Sequence, residues 1–185
     1  MQFTHYGGEA ALLAVDLVNA TTTGTPFTPG TLEPLLAARG TARRSLTAGE
    51  AAEVEAWSHR LAACFGPGDP EPRRETVNGL LAEAASKPYI TVHDGHAPHL
   101  HYADPALGPV AHIRAVTAAA LAHVICFAGH TRLGRCARTR CGLVFVDTSR
   151  NGRRAYCSVR CANNDAVARH RRRDGGADSD PGDNR

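Results

Sequence analysis

The fold is decided around residues 136–161, which read CARTRCGLVFVDTSRNGRRAYCSVRC. Four cysteines fall here in two close pairs, Cys136 with Cys141 and Cys157 with Cys161. Each pair supplies two thiolates from one local turn, and the 15-residue spacer brings the two turns together. Four thiolates at this spacing predict one closed, structural Zn²⁺ site. An iron–sulfur cluster and two disulfides are the alternatives.

The spacer between the two pairs predicts a β-hairpin. Gly142–Asp147 is strand-like, Thr148–Gly152 is a turn, and Arg153–Tyr156 is predicted to return as a second strand. Ser158 is predicted to cap a helix and to place Cys161 at its third position, where free amides and the helix dipole favour a thiolate. A knuckle, a hairpin and a helix that carries the last ligand together make a small treble-clef-like α+β zinc finger.

The formal net charge of +3 over 185 residues hides a strong segregation of charge. Residues 1–131 carry a net charge of −4, residues 132–173 carry +10, and residues 174–185 carry −3. We interpret these blocks as a helical N-terminal domain, a zinc finger and an acidic disordered tail. Twelve arginines within the middle block indicate nucleic-acid binding. The alternative is a solvated basic face that the acidic tail neutralises.

Upstream of the cysteines, the sequence predicts a mainly α-helical body with one β-hairpin. A hydrophobic content of 43% is enough for a core and excludes disorder over the whole chain. The capping box formed by Thr47 and Glu50 begins one of the helices. The predicted helices cover residues 31–39, 47–65, 72–86 and 110–128, the hairpin strands cover 89–92 and 100–102, residues 10–19 form a helix or a strand, and residues 21–29 form a loop.

Location and chemistry are predicted from what the sequence lacks. Met1–His5 has no basic and apolar leader pattern. The apolar stretch Val110–Ala128 is interrupted by His112, Arg114 and His123, which favours a buried helix over a membrane span. We therefore expect a cytoplasmic protein that does not enter a membrane. No nucleophile elbow, phosphate loop, dinucleotide fingerprint or metalloprotease motif is present, so we do not expect an enzyme.

A set of residues with characteristic spacing surrounds the four cysteines: Cys136, Cys141, Gly142, Phe145, Asp147, Ser149, Arg153, Arg154, Tyr156, Cys157, Ser158 and Cys161. This set resembles the CGNR zinc finger. The run LLAVDLVN at residues 12–19 is similar to the opening of the ABATE domain that usually precedes that finger. The resemblance implies a bacterial, stress-linked transcription regulator with a DNA-binding finger. Two features depart from the pattern: the tetrad here reads Cys-Ala-Asn-Asn at residues 161–164, and Tyr156 stands where Trp is usual.

The basic residues of the finger make DNA the predicted partner. Guanidinium forks suit phosphate oxygens, and a zinc-pinned helix is a common way to enter a major groove. Asn163 is a candidate for reading an adenine edge, or for bonding the backbone of the finger itself. The candidate nucleic-acid-binding residues are Arg150, Arg153, Arg154, Arg160, Asn163, Arg169, Arg171, Arg172 and Arg173.

Two further sets of polar residues invite a functional interpretation. Asp16 and Asn19 share a helix face, where they either line a small-molecule pocket or hydrogen-bond within the protein. The second candidate function is accordingly a protein-interaction or small-ligand-sensing module whose finger is only a scaffold. Many regulators form homodimers, but no coiled-coil heptad is present in this sequence to support a dimer, so homodimerisation stays open. A second metal site or an ordinary polar hairpin face is predicted at His93, Asp94, His96, His99, His101 and Asp104.

Overall fold

Six α-helices and two short β-hairpins make up the described part of the computed structural model, which is residues 5–41, 45–84, 88–92 and 97–174. The predicted fold class, mainly α with a small α+β zinc finger, is confirmed. The acidic tail, from residue 175 onward, lies outside the described residues. The helices are α1 (His5–Thr23), α2 (Pro29–Ala38), α3 (Ala48–Leu61), α4 (Pro70–Ala84), α5 (Gly108–Ala128) and α6 (Val159–Asp174). The strands are β1 (Tyr89–Thr91), β2 (His99–His101), β3 (Leu133–Arg135) and β4 (Val144–Val146).

Capping boxes begin two of the helices. The Glu50 amide donates to Thr47 Oγ1 over 3.2 Å, and the Thr47 amide donates to the Glu50 carboxylate over 2.9 Å. The predicted start of α3 is therefore confirmed. Thr28 and Thr31 form the same reciprocal arrangement ahead of α2. Each box satisfies backbone donors that the first turn of a helix leaves without an intrahelical partner.

Helix α1 is longer than the sequence analysis predicted. The expected loop over residues 21–29 is wrong at its start, because α1 continues to Thr23. The Thr22 hydroxyl donates to the Val18 carbonyl one turn back, over 2.9 Å. Burial of the preceding residues, including Leu17, fixes the helix in the core and overrides the low helix propensity of consecutive threonines.

The centre of the fold is α5, which contacts α1, α3 and α4. Ile113 and Leu121 are fully buried there, and the Trp57 indole of α3 donates to Thr117 Oγ1 over 3.0 Å. By length and composition alone α5 is the one helix among the described residues that would suffice to cross a membrane. In the structure it is the core helix of the body.

The hairpin in the body agrees with the predicted strands to within one residue. Strands β1 and β2 pair antiparallel, with Tyr89 opposite His101 and Ile90 opposite Leu100. The side chains of Ile90 and Leu100 are exposed, whereas His101 is buried. The predicted turn at residues 94–95 lies outside the described residues.

The hairpin of the finger differs from the prediction. Strand β4 pairs antiparallel with β3, which precedes the first cysteine pair, and residues 153–156 form no strand. The predicted return strand at those residues is wrong because Asp147 turns the chain. Its carboxylate accepts the amide of Ser149 over 2.8 Å and the amide of Arg154 over 2.9 Å. The segment that follows β4 is therefore folded back into a loop.

The finger is joined to the body by a shared core and by one side-chain amide. Leu133, Val144 and Val146 belong to the same buried cluster as the apolar residues of α1. Asn19 of α1 donates from Nδ2 to the Val144 carbonyl over 3.1 Å, and its Oδ1 accepts the Val144 amide over 2.8 Å. The side chain of Asn19 thus pairs with β4 as a neighbouring strand would.

Candidate metal centre

The four cysteine sulfurs of the finger converge on one point. The Sγ atoms of Cys141 and Cys157 are 3.5 Å apart, those of Cys157 and Cys161 are 3.5 Å apart, and those of Cys141 and Cys161 are 3.7 Å apart. All four ligand atoms, Cys136 included, lie within 4.8 Å of one another. Tetrahedral coordination at a Zn–S distance of about 2.3 Å requires sulfurs about 3.8 Å apart. All four thiols are free, so the cluster has the shape of a metal site and contains no disulfide bond.

The first pair of ligands sits in the turn of the β3–β4 hairpin. Cys136 directly follows β3, and its amide donates to the Leu143 carbonyl over 2.8 Å. The Cys141 amide donates to the Arg138 carbonyl over 3.0 Å, which closes a tight turn. Gly142 follows with φ +72°, a conformation that residues with a side chain rarely adopt. The strand pairing positions Cys136 and the tight turn positions Cys141, and together they bring both sulfurs to the same cluster.

The second pair of ligands is set by the start of α6. Cys157 precedes the helix, and the Cys161 amide donates to Ser158 Oγ over 3.2 Å, which confirms the predicted cap. Before a metal binds, hydrogen bonds to Ser158 and Cys157 lower the pKa of Cys161 to about 6. Burial and hydrogen bonds to the other thiols raise the pKa of Cys157 to about 12. Cys161 is therefore a thiolate at neutral pH, and a bound cation would displace the proton that Cys157 retains.

One cation beside the cluster was not singled out from the sequence. A hydrogen bond to Arg138, which lies between the first two ligands in the chain, also lowers the pKa of Cys161. A tetrathiolate that holds Zn²⁺ carries a net charge of about −2, which a guanidinium offsets. The position of Arg138 inside the knuckle is the sequence signal that would have identified it.

A buried carboxylate shapes the loop between the two ligand pairs. Asp147 is 1% exposed, and burial alone would raise its pKa. Hydrogen bonds from Ser149 and from the Arg154 amide outweigh burial, so the pKa of Asp147 is lowered below 3.8. Arg132 lies 3.8 Å from the same carboxylate and donates to the Asp147 carbonyl over 3.0 Å. Asp147 therefore holds the loop that leads to the second ligand pair.

Two of the candidate nucleic-acid-binding arginines have partners within the finger. The Arg154 guanidinium lies over the Phe145 ring, 4.5 Å from its centroid, and its Nε donates to the Tyr156 carbonyl over 2.9 Å. Arg169 pairs with Asp165 one turn earlier on α6, over 3.2 Å. The first contact fastens the loop, and the second neutralises a charge on the helix.

The other candidate arginines form an exposed group. Within the described residues, none of this group has a carboxylate oxygen within 4.0 Å. Arg173 lies in the last turn of α6, where the structure does not describe its side chain. The members of the exposed group are Arg150, Arg153, Arg160, Arg171 and Arg172.

One exposed face of α6 carries two arginines, one asparagine and one valine. Asn163, Val167 and Arg171 follow Arg160 at spacings of three or four residues, which places all four on one face of the helix. All four are exposed. Cys161 is the buried side chain among the described side chains of α6. The helix is therefore held by its metal-ligating first turn and leaves most of its length open to solvent.

Asp16 and Asn19 point to different partners although they share a helix. Asp16 accepts a hydrogen bond from Arg39 Nε over 2.7 Å, and Arg39 also pairs with Glu9 over 3.0 Å. Asn19 pairs with the backbone of Val144, as described above. Both residues hydrogen-bond within the protein, and a ligand pocket at this pair stays a prediction.

The predicted histidine cluster lies only partly within the described residues. His101 is buried, and its Nδ1 lies 3.3 Å from the Tyr89 hydroxyl. Among the residues that the structure describes, the four cysteines are the only group of three or more potential ligands that come together. The side chain of His99 is not described, and three members of the predicted cluster lie outside the described residues: His93, Asp94 and His96.

Comparison with known protein families gives a match over the finger. None of the curated proteins compared with the chain is similar enough to count as a match. The resemblance of residues 12–19 to an ABATE domain stays a prediction. Residues 132–174 match the model of the CGNR zinc finger family, and the four cysteines within that match have the arrangement of one structural zinc site.

Proposed function

We propose that the protein is a transcription regulator that binds DNA through its finger. The observation that carries this proposal is the exposed group of five arginines, which lies on α6 and on the loop before it and has no carboxylate partner among the described residues. Exposed cations without a carboxylate partner suit the phosphate backbone of a duplex. Zinc, which anchors α6 at its first turn, would fix the direction in which that helix meets the groove.

The number of arginines without an intramolecular partner among the described residues sets the expected salt dependence of DNA binding. Arg154 and Arg169 have intramolecular partners, so the exposed group supplies about five phosphate contacts. The logarithm of the association constant should then fall with the logarithm of salt concentration at a slope of about −4.5. Asn163, exposed on the same helix face, is the candidate for a contact with a base edge.

The proposal is tested by fluorescence anisotropy with the zinc-loaded full chain and a random-sequence duplex, from about 50 to 200 mM salt. The double variant Arg160→Ala, Arg171→Ala should bind more weakly and reduce the magnitude of the slope by about 2. Arg74→Ala is the matched control, because Arg74 is exposed on α4 and pairs with Glu71. A slope near zero, or an equal loss of binding in the control, would contradict DNA binding by the finger.

A transcription regulator must also prefer one DNA sequence over others. In vitro selection with the zinc-loaded chain should enrich a defined duplex sequence, and Asn163→Ala should relax the preference at one position by about 1–3 kcal/mol. Enrichment of no sequence would leave backbone binding without the specificity that a regulator needs. The resemblance to the ABATE and CGNR families extends the proposal to a stress-linked bacterial regulator. From the leader pattern and catalytic motifs that the sequence lacks, we further propose that it is cytoplasmic and is not an enzyme.

A protein partner is the second candidate, favoured by two apolar side chains on α6. Val159 is 77% exposed and Val167 is 51% exposed. Solvent-facing valines on a helix suit a protein contact better than a phosphate contact. Val167→Ser should leave duplex binding unchanged if DNA is the partner of this face. Loss of a co-purifying protein in that variant, with no duplex binding in the parent, would favour the second candidate.

A further inference from the structure

A cleft with a volume of about 490 Å³ lies where the loop after α3 meets the finger. Arg73, Arg135 and Arg154 line it, together with Phe145 and the predicted metal ligand Cys136. Its volume is within the range of small-molecule sites. The DNA-binding proposal makes no use of this cleft.

Arg73 is the most deeply placed of the three cations. It belongs to α4, is 7% exposed, and donates to the carbonyl oxygens of His130 and Gly66. The structure gives it no carboxylate partner among the described residues. Burial of a guanidinium without a counter-ion is costly, and two carbonyl dipoles offset only part of that cost.

The other two arginines are arranged in the same way. Arg135 donates to the carbonyls of Gly142 over 2.9 Å and Ala62 over 3.0 Å. Arg154 donates to the carbonyls of Tyr156 and Cys157. Each guanidinium has five N–H donors and uses two of them on backbone carbonyls. Neither residue has a carboxylate within 4.0 Å among the described residues, so the cleft has spare donors and positive charge without a carboxylate partner.

The apolar part of the lining narrows the class of ligand. Phe145, Pro67 and two alanines contribute carbon surface to the same cleft. With zinc bound, the thiolates of Cys136 and the other three ligands would carry a net charge of about −2, which would offset part of the positive charge without filling the cleft. We propose that the cleft binds a small organic acid, whose carboxylate pairs with the guanidinium groups while its apolar body packs against the exposed lining residues Pro67, Ala137 and Ala155. Because Arg73 belongs to the body and Arg154 to the finger, the bound acid also strengthens the contact between them.

The proposal is tested by calorimetric titration of the zinc-loaded full chain with benzoate, at constant ionic strength. Benzamide is the neutral probe of the same shape, and inorganic phosphate is the anion without an apolar body. Benzoate should bind saturably, at least tenfold more tightly than either control probe, and should raise the thermal midpoint. Equal binding of benzamide, tighter binding of phosphate, or no benzoate binding would overturn the assignment.

A carboxylate introduced into the cleft tests whether benzoate binds there or elsewhere on the basic surface. Ala155 and Ala137 line the cleft and are exposed. Ala155→Glu should reduce benzoate affinity at least tenfold while zinc content and the thermal midpoint are maintained. Ala137→Glu provides the same test if the first variant loses zinc. Ala166→Glu on the exposed side of α6 is the control, and an equal loss of affinity there would contradict the site, as would full affinity in a folded cleft variant.

Discussion

Replacement of Asn19 by leucine removes both hydrogen bonds between α1 and β4. The substitution leaves the carbonyl and the amide of Val144 without their partner. Val144 is 1% exposed, so water cannot replace the lost bonds without local opening. Asn78→Leu, at an exposed position of α4, serves as the control for the added apolar side chain.

The magnitude follows from the two orphaned groups. Each buried backbone group left unpaired costs about 1–3 kcal/mol, and the larger apolar side chain returns about 1 kcal/mol. We expect a net loss of about 3 kcal/mol in the free energy of unfolding, out of a total of about 5–15 kcal/mol for an ordinary domain. The thermal midpoint should fall by about 6–12 °C.

Urea unfolding and amide hydrogen exchange measure this effect at two levels. The urea midpoint reports the global loss, and exchange of the Val144 amide reports the local one. Since each 1.4 kcal/mol is a factor of ten, that amide should exchange about 100-fold faster in Asn19→Leu. An unchanged urea midpoint together with unchanged exchange, or a loss no larger than that of Asn78→Leu, would refute the view that Asn19 joins the finger to the body.

Three other predictions follow from the finger. Gly134→Ala would place a Cβ 2.4 Å from the Phe145 ring, so we expect a loss of about 1–3 kcal/mol by overpacking; a urea midpoint equal to that of the parent would contradict this. Asp147→Asn should cost about 1–3 kcal/mol at neutral pH, because the Arg154 amide loses a charged acceptor. The pKa of Asp147 is lowered from 3.8 in the folded state. The contribution of the carboxylate to stability is therefore full above pH 3.8 and is lost as the pH falls through the folded pKa. Parent and variant should converge in stability in acid, and a constant difference in urea midpoint down to about pH 2 would argue against this role of Asp147. Chelation of zinc should unfold α6 and spare the body, since Cys161 is its buried anchor and isolated helices of about 16 residues are marginal in water; circular dichroism that shows no loss of helix would disprove the dependence.

Signals that act within one turn of the chain were predictable from the sequence. Thr47 with Glu50, and Ser158 before Cys161, satisfy the first amides of a helix by their own side chains. Such contacts need no knowledge of the distant chain. The metal site was equally predictable from the cysteine pairs, because the type of ligand and the local spacing are enough to specify it.

The partner of β4 was not predictable in the same way. Strand β3 is only Leu133-Gly134-Arg135, a composition that also suits a loop. Its strand character depends on the knuckle between Cys136 and Cys141, which closes the hairpin. The turn-like residues after β4 predicted a hairpin between β4 and residues 153–156. In the structure those residues form a loop, because the Asp147 carboxylate accepts the backbone amides of Ser149 and Arg154.

Contacts between distant residues account for the rest of what the sequence did not reveal. Asn19 and Val144 are 125 residues apart in the sequence. An asparagine among apolar helix residues predicts a hydrogen-bond partner in the core, but the sequence does not show which residue that partner is. The concentration of arginines predicted a basic surface. It could not show that Arg154 covers Phe145 or that three arginines line one cleft.

The pairing of Asn19 with Val144 also covers part of the second edge of β4. The open edge of a β-strand is a template for pairing with another chain, and β4 is a buried run of Val-Phe-Val. Strand β3 occupies one edge of β4, and the Asn19 amide occupies both backbone groups of Val144. A second copy of the chain therefore finds that position already filled, and exposure of β4 would require α1 to move away first.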